Sequence, residues 1–128
     1  MPICVYAQAN LSLQQQIEST DDLWQSSWRN GRVDKILGPV SRIDTKTCQD
    51  TFIKEITEDK ICGEPYSMEM NYGSGGAPLE ILTIDNGQQK IVQIGVVLLG
   101  KPDNTGPLIY SNLLKFSNWI ARSVLENI

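Results

Sequence analysis

The chain has 128 residues, with 11 basic and 15 acidic side chains, a formal net charge of −4 and no histidine. That length predicts one domain with a real core and a large wetted surface. Mild negative charge without a basic cluster argues against nucleic acid as a partner. The longest apolar stretch, residues 94–99, is far too short to cross a bilayer as a helix, so no membrane partner is expected. Three cysteines, no close cysteine pair and no histidine leave no expected metal site and no cofactor.

Met1 is followed at once by Pro2, Ile3 and Cys4, with no signal peptide visible. Residues 8–22 are polar and poor in turn signals, and read as a short helix or a draped loop. Within them Asn10-Leu11-Ser12 is a glycosylation sequon, meaningful if the chain is secreted. Short β-type runs broken by turns follow, the pattern of an all-β barrel or sandwich. Residues 36–43 and 78–84 are two such runs, and Asp85-Asn86-Gly87 marks a hairpin tip. Residues 89–99 alternate at first and then become wholly apolar, which predicts a strand buried on both faces. Residues 101–106 form a loop by composition. Finally Leu113, Phe116, Ile120 and Val124 recur at spacings of three and four, with Lys115, Arg122 and Glu126 off that line. This predicts an amphipathic helix at about 114–127, its stripe docked on the domain's own barrel.

The most informative run is Gly73-Ser74-Gly75-Gly76-Ala77-Pro78-Leu79. It resembles the nucleophile loop of trypsin-like serine proteases (peptidase S1), Gly-Asp-Ser-Gly-Gly-Pro-Leu. Other landmarks come in family order. Pro2-Ile3-Cys4 resembles the start of the linker between the two barrels, and Ser27-Trp28-Arg29 falls where the family has Gly-Trp-Gly. Ile61-Cys62-Gly63 resembles Ile-Cys-Ala-Gly, and residues 95–100 resemble Gly-Ile-Val-Ser-Trp-Gly. Pro107-Leu108-Ile109-Tyr110-Ser111-Asn112 resembles Pro-Gly-Val-Tyr-Thr-Asn, and residues 116–120 resemble the start of the closing helix. The resemblance covers the second half of such a protease. It implies an all-β fold, the C-terminal six-stranded antiparallel barrel with a C-terminal α-helix. Residues 1–22 would be the inter-barrel linker and residues 23–128 the barrel.

The resemblance also implies the site, residue by residue. Without a gap, Gly75 stands at the nucleophile, Ser74 at the preceding aspartate, and Gly73 at the oxyanion-hole glycine; this register is favoured because it keeps Gly73 in place. A second register treats Ala77 as an insertion and makes Ser74 the nucleophile, with Tyr72 and Gly73 before it. The family's catalytic histidine and aspartate sit on the other barrel, so no Ser-His-Asp arrangement forms within this chain. With serine at the aspartate position, cleavage-triggered activation is expected to be absent. Glu69 aligns near the base of the specificity pocket, Leu98-Leu99 replace Ser-Trp beside Gly100, and Leu108 replaces a pocket glycine that it would fill. Cys48 and Cys62 match a family disulfide. Two others are missing, one at Leu23 and Ile81, and one between Asn71 and the loop 101–104. Cys4 matches a cysteine that bonds outside this half, and is read either as an interchain tie or as a buried, inert thiol.

Three functions remain open on this reading. The first is a catalytically inactive serine protease homologue, as in arthropod immune and clotting cascades, acting extracellularly by protein binding. Its partner would be a protein or the missing N-terminal barrel, held through Cys4, and the lone barrel would otherwise associate through an exposed apolar patch. The second is a fragment of an active endopeptidase with Ser74 as nucleophile. The third is an unrelated small β binding module.

Overall fold

Alternation of apolar and polar residues turns the middle of the chain into strands, because every second side chain shares a face. In the computed structural model, β2 (Asp22–Trp28) sends Leu23, Gln25 and Ser27 inward, and β3 (Lys35–Arg42) sends Ile36, Gly38 and Val40 the same way. The structure describes residues 3–5, 11–28, 35–67, 70, 75–103 and 105–127. Four further strands, β4 (Lys60–Pro65), β5 (Pro78–Asp85), β6 (Gln88–Gly100) and β7 (Leu108–Asn112), join these two. They form a closed antiparallel ring in the order β6-β5-β2-β3-β4-β7, with β7 pairing back onto β6. This is the six-stranded barrel that the sequence resemblance implies. β1 (Ile3–Val5) lies outside the ring, parallel to β6 with Cys4 opposite Val92.

The β5–β6 hairpin turns at the expected place. Asn86 at φ 51° and Gly87 at φ 77° take the two left-handed positions of a two-residue hairpin turn. Only residues tolerant of positive φ fit there, which is why Asn-Gly signals it. β6 then runs for 13 residues, first against β5 and then against β7. Its register slips between Val97 and Leu99, leaving Leu98 as the extra, unpaired residue of a β-bulge. Leu98 is 47% exposed. The wholly apolar end of β6 is therefore not buried on both faces: the bulge rotates Leu98 to solvent while Ile94 and Val97 stay inside.

Leu23, Leu79, Ile81, Val92, Ile94 and Tyr110 fill the barrel. Leu23 and Ile81, where a cross-link is missing, are both fully buried in this core, so apolar packing takes over that position. The segment before residue 23 contributes a helix, α1 (Leu11–Ser19), whose Ile17 enters the same core. Two polar ties hold α1 in place. The Gln16 amide donates to and accepts from the backbone of Ile84, as a neighbouring strand would. Arg42 donates to the carbonyls of Ile17 and Thr20, which the end of a helix leaves unpaired. Burial disfavours the charge on Arg42, and Asp21 and Glu18 counter part of that effect.

A second helix, α2 (Thr45–Phe52), was not legible from apolar periodicity. Its signal is the cap: Asp44 accepts from the Thr47 backbone N–H and from the Thr47 hydroxyl. α2 buries one residue, Cys48, which forms a disulfide with Cys62 of β4. Ile56 and Ile109 complete a small satellite core around it.

The chain ends in a 3₁₀ turn (Leu113–Phe116) followed by α3 (Ser117–Glu126). The helical segment covers 113–126, close to the predicted 114–127, but most of its apolar stripe is not docked on the barrel. Leu114 packs against the core and Ile120 is half-buried, but Phe116 and Val124 are exposed. Trp119 is 66% and Leu125 73% exposed. Removing the disulfide by Cys48→Ala with Cys62→Ala is expected to cost roughly 3 kcal/mol, the chain-entropy value for a loop of about 15 residues. Urea unfolding of the double variant beside the parent measures it.

Candidate functional site

The glycine-rich loop is stitched to β6 just before the bulge. The Gly76 N–H donates to the Val97 carbonyl at 3.0 Å, and the Val97 N–H donates to the Ala77 carbonyl at 2.9 Å. Gly76 sits at φ 87°, a conformation that favours glycine. Gly75 is exposed, and no described atom lies within 4 Å of where its Cβ would stand. Gly73 and Ser74 lie outside the described residues, as do Glu69, Asn71, Tyr72 and Asn10, so both registers of the loop stand as sequence readings.

The strand ends beside this loop bring Gly100 and Leu108 together. They are register partners across β6 and β7, and Leu108 is fully buried. A Cβ added to Gly100 would lie 2.6 Å from Cδ2 of Leu108. The leucine side chain thus packs against one side of Gly100, which stays exposed; these are two of the positions that the resemblance puts at a specificity pocket. Leu98 and Leu99 are not part of that contact. With Lys54, Ile56, Lys60 and Ile109 they line a separate shallow pocket of about 190 Å³, open to solvent. Its floor is apolar, and Lys60 at its rim is paired with Asp59 at 2.7 Å.

A buried polar cluster that sequence reasoning missed joins β2, β7 and Met70. Tyr110 donates its hydroxyl proton to Gln25 Oε1 at 2.6 Å, and Gln25 Nε2 donates to the Met70 carbonyl at 2.8 Å. Burial pushes the Tyr110 phenol well above its ordinary range, so it stays a neutral donor. The alternation of β2 is the signal that would have placed Gln25 inside; its partners are 45 and 85 residues away in sequence and carry no local mark. Cys4 is a free, half-buried thiol packed against the barrel core.

Chemically, the described part of the loop offers no nucleophile, and the chain offers no imidazole base. What it presents is the Gly76–Ala77 stretch bonded to Val97 and a buried Leu108 packed against Gly100.

No family model matches the chain. Among curated proteins, human kallikrein-5 is 28% identical over 90 residues, which span 69% of this chain and 29% of the kallikrein. Among solved structures, the Drosophila Grass clip serine protease of the Toll pathway superposes with a TM-score of 0.77 at 18% identity. That match covers 99% of this chain and 38% of the protease. Both findings stand against an unrelated β module. Leu108→Ala should empty the space over Gly100 and cost about 3 kcal/mol, within the range for a buried leucine. Urea unfolding checks the cost, and a new saturable site for a small aromatic probe checks the cavity.

Proposed function

We propose that this chain, a relative of the trypsin-like serine proteases with the fold of their C-terminal barrel, acts by binding protein rather than by cutting it. The observation that carries this reading is Leu108 seated on Gly100. A cleft filled by its own wall cannot take a substrate side chain, and refilling it with substrate would require expelling a well-packed leucine. The loop agrees: with Gly75 at the nucleophile position the acyl-transfer step has no attacking group, and no histidine activates one. Exposed Trp24, Leu82 and Ile84 lie on one outer sheet face, and Trp119 and Leu125 on α3. Apolar surface of this kind supports association with another polypeptide. The disulfide supports an extracellular setting. Cys4, half-buried on β1, is where we place a covalent tie to the partner.

A second reading keeps catalysis. The matches cover 29% and 38% of the two proteases, so a longer protein would have room for a histidine and an aspartate, with Ser74 as nucleophile. A fluorophosphonate probe separates the two. The binding reading expects no label on Ser74, either in this chain or in protein isolated from its source; a labelled Ser74 peptide establishes the catalytic one. On the same source material, a band that shifts upward without reductant and is lost on Cys4→Ser is expected for the tie, and an unchanged band removes it.

A further inference from the structure

Among the described residues, one side-chain amide is fully buried, that of Gln25. Leaving such a group without partners would cost a large fraction of the domain's stability. Gln25 instead uses both ends. Nε2 donates to the Met70 carbonyl at 2.8 Å and to the Ser27 hydroxyl at 2.7 Å, and Oε1 accepts from the Tyr110 hydroxyl at 2.6 Å. A carbonyl oxygen only accepts, so Met70 fixes which end of the amide is the NH₂, and the phenol must then face the oxygen. One side chain therefore joins β2, β7 and the turn that ends at Met70. That turn is closed by the Met70 N–H donating to the Ser67 carbonyl at 3.1 Å.

Met70 is five residues before Gly75, and the far side of the same stretch is held by the Gly76–Val97–Ala77 backbone bonds. We infer that Gln25 is a positioning residue for Met70, a buried amide latch that fixes the backbone at Met70, five residues before Gly75 in sequence. Unlike a covalent tie, the latch is breakable by the loss of a single donor. This role stands whether the loop serves a binding partner or a substrate, so its test is separate from that of the proposed function.

Amide hydrogen exchange on the full chain tests the latch. Gln25→Met keeps the volume and removes the bonds. Exchange at the Met70 amide is then expected to rise by about tenfold more than at amides of the β5–β6 ladder, the effect of one lost buried hydrogen bond. Gln25→Glu supplies a readout that a packing role would not move. As a protonated acid it still donates to the Met70 carbonyl; as a carboxylate it only accepts and sets its charge against that carbonyl. Burial raises the pKa of such a carboxyl, so Met70 protection should be near normal at low pH and be lost as pH rises through that raised value, beyond the intrinsic pH dependence of exchange. Tyr110→Phe leaves both Nε2 bonds and should have a smaller effect. If Gln25→Met accelerates Met70 no more than the ladder amides, or if the Gln25→Glu profile follows intrinsic exchange alone, the latch is overturned. Should Gln25→Met not fold, the Gln25→Glu profile decides.

Discussion

β6 has to serve two neighbours, and the rest of the domain depends on it. A six-stranded sheet closes only when its two end strands pair with each other, and β6 makes that closure by pairing first with β5 and then with β7 along its 13 residues. Closure removes the open edges that would otherwise recruit other chains. It also sets the position of everything near the loop. Val97 faces Tyr110 of β7 and exchanges backbone bonds with Gly76 and Ala77, so the point where the barrel closes is also the point where the glycine-rich loop is fastened. The bulge at Leu98 follows immediately and turns the strand toward Gly100.

From that geometry the site follows. The ends of β6 and β7 meet as Gly100 and Leu108, and the side chain of the second packs against the first. A fold that supports peptide hydrolysis in its relatives does not carry the reaction with it; the reaction depends on particular side chains grafted onto the fold. Here Gly76 and Ala77 are bonded to Val97, Gln25 joins Tyr110 to the Met70 carbonyl, and Leu108 is buried against Gly100. Apolar side chains are exposed on β2, β5 and α3.

Much of the barrel was legible in the sequence, because alternation and Asn86-Gly87 are local signals that read the same in any context. The disulfide was legible only through resemblance. Leu98 was misread because a bulge is a property of the pairing and not of one strand, so a run of apolar residues gave no hint that one of them would be rotated outward. α2 escaped because its apolar periodicity is poor and its stability comes from the Asp44 cap and the bond from Cys48. The stripe of α3 was read correctly as amphipathic, but periodicity does not say whether a surface is present for it to dock on. That Leu108 is buried was legible, since it sits in an apolar run of a strand. Gln25 was the least legible, since its meaning lies in partners distant in sequence.

The central claim is that Leu108 fills the cleft, and an amidine probe that mimics an arginine side chain tests it most directly. Titrating it while following the Gly100 amide and the Leu108 methyls by NMR is predicted to give no saturable shift up to millimolar probe, on the order of the weakest specific binding. A saturable shift at both residues would mean that the cleft opens and accepts a basic side chain, and the account of a filled, non-catalytic barrel would be contradicted.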